Sequence, residues 1–126
     1  MLNKIMLIGN VGRDPELNVT AEGTPVTKFS LAVNRKYKAS SGEQKEETEW
    51  FTIVTWRQLA EICERYLHKG SKVYIEGRLT QRKYTDKNGI ERTAVEVIAN
   101  DMQLLSPKQA AAPLTEGSDP FLPDDL

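Results

Sequence analysis

The chain has 126 residues, enough for one domain with its own core plus a short appendage, and its 39% hydrophobic and 28% charged residues place it among ordinary globular proteins. Its net charge of -1 is unevenly spread: residues 1–105 carry sixteen Lys or Arg against fourteen Asp or Glu, whereas residues 106–126 carry Lys108 against Glu116, Asp119, Asp124 and Asp125. The acidic end points to a separate partner or to a solubilising tail, while a single cysteine (Cys63) and a single histidine (His68) exclude an internal disulfide and are too few for a structural zinc site.

Taken in chain order, the apolar run at the N-terminus, "MLNKIMLIGNVGRD", is too short for a signal peptide or a membrane span, so a soluble, intracellular protein is expected. Within it "KIMLIGNVG" is a continuous apolar stretch ended by glycines, the pattern of a buried first strand. "RDPELNVTAEGTP" reads as a loop punctuated by Pro and Gly. In "VTKFSLAVNRKY", Phe29, Leu31 and Val33 alternate with Lys28, Ser30 and Ala32, a half-buried strand, and the polar "KASSGEQKEE" reads as an exposed, mobile loop. The next strand, "EWFTIVTW", holds both tryptophans: Trp50, Thr52, Val54 and Trp56 share one face, and Phe51, Ile53 and Thr55 the other. Alternation alone does not say which face is wet. If Phe51 and Ile53 line the core, the two rings stand outside, roughly 20 Å apart at about 3.3 Å per residue.

"RQLAEICERYLHKG" is the one convincing helix, with Leu59, Ile62, Cys63, Tyr66 and Leu67 on one stripe and Gly70 just past its end. Cys63 and His68 fall on different faces of it, so Cys63 reads as a small core residue and not as a nucleophile with a base. "SKVYIEGRLTQRKYT" follows as a strand with a bulge or bend at Gly77, "DKNG" signals a hairpin, and "IERTAVEVIANDMQLL" returns as the last strand. Tyr74 is opposite in parity to Val73 and Ile75 and is assigned to neither side. From Ser106 on, Pro, Gly, Ser and acids dominate, predicting a disordered tail over 106–126 beside a folded unit over 1–105. Three strands, a helix and two strands make an all-β domain with one helix. That is the plan of an OB-fold, a five-stranded Greek-key barrel with its helix between strands 3 and 4; an SH3-like barrel or another small mixed domain also fits the pattern.

Several aromatics stand among cations. Arg78, Thr80, Arg82 and Tyr84 share one strand face, and Tyr37 lies within Arg35, Lys36 and Lys38. A strand tryptophan taken singly is commonly a core residue, and Tyr66 is assigned to the core. As a set, rings beside Lys and Arg are what a single-stranded nucleic acid needs, bases stacking for about 1–3 kcal/mol each while cations track the phosphates. No phosphate-binding Gly-rich loop, metal-ligand cluster or nucleophile–base spacing occurs, and "GNVG" is too short to imply dinucleotide binding, so no catalysis and no cofactor are expected.

"NKIMLIGNVGRDPE", "KFSLAVNR", "SGEQKEETEWF", "LAEICERYLHKGSKVYIEGRL" and "RKYTDKNG", in this order and spacing, closely resemble bacterial single-stranded DNA-binding proteins, from Asn3 to about Leu105. The resemblance implies an OB-fold assembled as a homotetramer in the cytoplasm, associated with the nucleoid, binding single-stranded DNA without sequence preference in replication, recombination and repair. It implies stacking by Tyr37, Trp50, Trp56 and Tyr84. Tyrosines stand at 37 and 84 where the family commonly has tryptophan, and Trp56 stands where it has phenylalanine. Phosphate contacts are implied for Arg35, Lys36, Lys38, Lys45, Arg57, Lys72, Arg78, Arg82 and Lys83, more weakly for Lys4 and Arg13, and subunit contacts near Phe51. The acidic tip of such proteins docks repair enzymes, which here assigns Asp119, Pro120, Phe121, Asp124, Asp125 and Leu126, although "DPFLPDDL" ends in Leu where the family has Pro-Phe. An RNA-binding or replication-restart module on the same barrel is the alternative function.

Overall fold

The computed structural model describes residues 1–106. Six strands and one helix follow in the order β1 (Ile5–Val11), β2 (Glu16–Val19), β3 (Pro25–Lys38), β4 (Gln44–Trp56), α1 (Arg57–Tyr66), β5 (Lys72–Thr85) and β6 (Glu91–Leu104). Five of them form a closed barrel. The sheet runs β1-β5-β6-β4-β3, and β1 closes it on β3 through Asn10↔Ala32 and Val11↔Leu31. All pairs are antiparallel except β4–β6, which runs parallel over Thr52–Val54 and Glu96–Ile98. In chain order α1 sits between the third and fourth barrel strands, so of the plans the pattern allowed this is the OB-fold.

The core is built by inward-facing residues of every barrel strand, including Val11, Phe29, Leu31, Ile53, Ile75 and Val97. Helix α1 caps one end with Ala60 and Cys63, and Leu67 just beyond it is equally buried. Two buried threonines under the helix spend their hydroxyls internally: Thr27 Oγ1 donates to the Ala60 carbonyl at 2.7 Å and Thr55 Oγ1 to the Thr27 carbonyl at 3.0 Å. Burial pushes the Cys63 thiol up to about 11, against a smaller opposing effect of the Thr55 hydroxyl, so it is an inert core group.

The structure corrects five expectations. The supposed loop 13–25 contains β2, which pairs with β3 from Glu16↔Lys28 to Val19↔Pro25; four residues between turn signals are too few to show a period. Half of the segment read as a mobile loop is ladder, since β3 and β4 stay paired out to Lys38↔Gln44 and turn only over Ala39–Glu43. That arm leaves the barrel and has no core to bury, which is why its sequence is polar on both sides. Strand β1 is buried on one side only, with Met6 62% and Ile8 52% exposed. The helix ends at Tyr66, and Gly70, at φ +92, closes a His68–Ser71 turn instead of capping it. Tyr66 is exposed, because the buried stripe runs through Ala60, Cys63 and Leu67 and leaves this ring at its margin near the Arg65 guanidinium.

Two local features follow the sequence closely. The β5–β6 register shifts between Glu76 and Gly77, where a bulge or bend was expected, and the extra residue, Asn100, lies on β6. The Asn-Gly hairpin turns over Asp86–Ile90, where the Asp86 carboxylate accepts the N–H groups of Asn88 and Ile90 at 2.9 Å each and Arg92 Nε at 2.6 Å.

Candidate nucleic-acid interface

Strand β4 decides which rings are wet. Ile53 is fully buried and Phe51 packs half-buried against the core, so the alternate residues face outward: Trp50 is 61% and Trp56 40% exposed. Register extends this face across neighbouring strands. Val26, Lys28, Ser30 and Ala32 of β3 lie opposite Trp56, Val54, Thr52 and Trp50. On the other side Glu96 and Ile98 of β6 lie opposite Thr52 and Val54. Strand β5 continues the row with Arg78 opposite Ile98, Thr80 opposite Glu96, Arg82 opposite Ala94 and Tyr84 opposite Arg92. Four strands thus present Trp50, Trp56 and Tyr84 on one surface.

An open cleft of about 960 Å³ runs across it, with Val54 and Ile98 among its apolar lining and Lys28, Trp56, Arg57, Arg78, Thr80 and Arg82 around them. Its four cations face one carboxylate, that of Glu96. Among the described residues no ion pair engages Lys28, Arg57 or Arg78, whereas Arg82 Nη2 reaches Glu96 Oε2 at 3.2 Å and its guanidinium lies 5.6 Å from the centroid of the Tyr84 ring. An apolar lining beside an exposed indole, rimmed by positive charge, can hold a planar base against Trp56 and its phosphates on the arginines. Arg57 reaches this rim in the left-handed region, at φ +58, directly after Trp56.

Midway along β4 the Trp50 ring lies over Gly12. A Cβ there would stand 2.6 Å from the ring and 2.5 Å from Ser30 Oγ, so glycine is what lets the indole settle against the barrel. Beside it a smaller hollow of about 200 Å³ has a mixed lining, with Arg13 and Lys28 but also Asp14 and Glu16 around Ser30 and Thr52.

Other expected site residues fall elsewhere. Register pairs Arg35 with Glu47 and Tyr37 with Lys45, in phase with Leu31 and Phe51, so all of these sit on the side of the β3–β4 arm opposite Trp50. There the Arg35 guanidinium lies 4.7 Å from the Tyr37 ring centroid and 2.7 Å from Glu47 Oε1. Lys36 and Lys38 share the tryptophan side of that arm. Lys83 pairs with Thr93, out of phase with Arg82 and Tyr84, and Lys72 begins β5 at the end remote from them. Lys4 is drawn to Glu76 at 3.1 Å; the Tyr74 hydroxyl and then Lys4 hold that carboxyl below its ordinary range. Asp119, Pro120, Phe121, Asp124, Asp125 and Leu126 lie outside the described residues.

Sequence reasoning missed Lys28, Gly12 and Glu96 as parts of this surface, whereas Thr80 was read on the face of Arg78, Arg82 and Tyr84. Lys28 carried a signal, being a cation in phase with the tryptophans once β3 and β4 pair. The others depend on register between distant segments, which no local pattern shows. Among the described residues no group of three or more His, Cys, Asp or Glu is placed to hold a metal, and no helix is long and apolar enough to cross a membrane.

The model of the single-strand binding protein family matches residues 2–105. The chain belongs to this family. Family members bind nucleic acid and are not enzymes. The chain is 48% identical over 118 residues to the single-stranded DNA-binding protein 1 of Chlorobaculum tepidum, covering 93% of this chain and 73% of that protein. It is 45% identical over 119 residues to the single-stranded DNA-binding protein of Neisseria meningitidis, covering 92% and 68%. Among solved structures, that of a Plasmodium falciparum single-strand binding protein in complex with single-stranded DNA superposes with a TM-score of 0.77 at 35% identity, over 84% of this chain and 96% of that one. Membership accounts for the barrel and for the blocks of sequence that resembled the family.

Proposed function

We propose that this chain binds single-stranded DNA without sequence preference and coats it during replication, recombination and repair. The carrying observation is that Trp50, Trp56 and Tyr84 share an exposed sheet face with a cleft rimmed by Lys28, Arg57, Arg78 and Arg82. Stacking draws on the π-face that every base has, and the cations meet phosphates that every strand has, so neither contact reads sequence. Lys36 and Lys38 extend the phosphate track along the β3–β4 arm. Tyr37, with Arg35 and Lys45, offers a second ring on the reverse of that arm, reachable by a strand that passes around its tip. Lys72 and Lys83 add peripheral positive charge.

The working form is a homotetramer. Supporting this reading, β1 pairs with β5 through Ile5–Asn10 but meets β3 only at Asn10 and Val11, so its other edge is open over Ile5–Gly9. That strand also turns Met6 and Ile8 outward, the kind of apolar surface that a second copy covers. The acidic tip, with Phe121 or Leu126 as its apolar anchor, recruits repair and replication proteins.

Fluorescence anisotropy of labelled strands tests the central reading. Homopyrimidine and mixed-sequence single strands of equal length should bind alike, more tightly than duplex, with affinity falling as salt rises because neutralised phosphates release counterions. A preference for duplex, or no binding at low salt by folded protein, contradicts it. Preference for an RNA strand of the same length favours the RNA-binding alternative.

A further inference from the structure

The cleft holds one acid among its cations. Glu96 stands at the middle of the face, opposite Thr52 on one side and Thr80 on the other, with its side chain only 12% exposed. A carboxylate at the centre of a surface for a polyanion opposes binding unless it is neutralised, and a nearly buried one strongly resists losing its counter-charge. Its partner is Arg82, bound at 3.2 Å, whose guanidinium in turn lies 5.6 Å from the Tyr84 centroid. The guanidinium has five N–H donors, so one contact to Glu96 leaves others for a phosphate.

We propose that Glu96 is a positioning residue for single-stranded nucleic acid, holding Arg82 beside the Tyr84 ring as a net-neutral, oriented donor. This rests on the reading of the cleft as the strand's site. A phosphate held by such a pair gains directed hydrogen bonds but is not neutralised, so it keeps its counterions. Lys28, Arg57 and Arg78, which no ion pair engages among the described residues, are then the cleft cations that set the salt dependence.

The test is the slope of log affinity against log salt for the full chain and a homopyrimidine strand, compared with Glu96→Gln, Arg82→Gln, the double variant and Arg82→Lys, with circular dichroism checking the fold of each. Glu96→Gln frees a cation and should steepen the slope by about 0.7, while the double variant, losing both charges, should return to the wild-type slope. Arg82→Lys keeps the charge but not the fork, so it should keep the slope and lose affinity on the order of tenfold. A Glu96→Gln slope equal to wild type, a double variant shallower than wild type by about 0.7, or Arg82→Lys binding undiminished would each overturn the proposal. The double variant leaves no orphan charge and so decides the matter even if Glu96→Gln fails to fold. A wild-type protein that does not bind would instead overturn the functional reading beneath it.

Discussion

Arg57 shows most plainly how a single residue serves the surface against the preference of the backbone. It follows Trp56, opens α1, and sits at φ +58, where a side chain other than glycine's costs roughly 1–2 kcal/mol. Helix α1 gains nothing there from capping: Trp56 makes no side-chain cap hydrogen bond and the first turn holds no acid. The strain is consistent with Arg57 being kept for its charge at the cleft. Arg57→Gly should therefore raise stability by about 1 kcal/mol, or roughly 4 °C in Tm, while lowering affinity for single-stranded DNA several-fold. A higher Tm with unchanged affinity would remove Arg57 from the phosphate contacts. At this scale much was legible. Opposite parity to Ile53 put both tryptophans outside as soon as Ile53 was taken as core. The same rule, carried from Phe29 and Leu31 through Val33 to Arg35 and Tyr37, also places Tyr37 on the reverse side. Its flanking lysines drew attention to the ring and away from its phase. The place of Glu96 had no such signal, because its position beside Thr52 is set by parallel pairing with β4, a strand remote in sequence.

Among the elements, the two hairpin arms, β3–β4 and β5–β6, project functional residues past the barrel and depend on their turns. At the tip of β5–β6, Arg92 and then the backbone N–H groups of Ile90 and Asn88 hold the Asp86 carboxyl below the usual aspartate range. A depressed folded value stabilises the turn above the unfolded carboxyl's pKa, and that contribution is lost as pH falls through the lower folded value. Amide exchange at the arm's tip, after correction for the intrinsic rate, should thus lose protection on acidification below the ordinary aspartate range. Asp86→Asn should show weak protection at all pH values, and an Asn variant as protected as wild type at neutral pH would assign the turn's order to the backbone alone. The element types followed from period and punctuation, and α1 and the Asn-Gly hairpin were both readable. Strand β2 and the outer half of the β3–β4 arm were not. A period reports burial against a core, and those segments have little or none to bury against.

For the whole molecule, the surface left over by the barrel is as informative as its core. The continuous apolar run of β1 looked like a strand buried on both sides. In the single chain Met6 and Ile8 are exposed beside an open strand edge. The proposed homotetramer would reconcile the two, and Ile8→Glu should then lower the mass measured by light scattering from that of four chains, with circular dichroism unchanged. A wild-type mass of one chain would contradict the assembly. Pairing of β6 with both β5 and β4 sets those strands on either side of it, which is how Arg78 and Arg82 meet Trp56 across one cleft. The sequence held each of these residues but not their meeting, since that depends on the parallel β4–β6 register.

Fluorescence of the two tryptophans tests the shared face most directly. Trp50→Phe and Trp56→Phe proteins each retain one indole, at the end of β4 and at its middle respectively, both on its outer side. Titrated with a homopyrimidine strand, each remaining tryptophan should be quenched as bases stack on it, and replacing either ring with alanine should cost about 1–3 kcal/mol of binding. Tight binding with no quenching of Trp56 in the Trp50→Phe protein would mean that the strand lies elsewhere, and that the cleft is not its site.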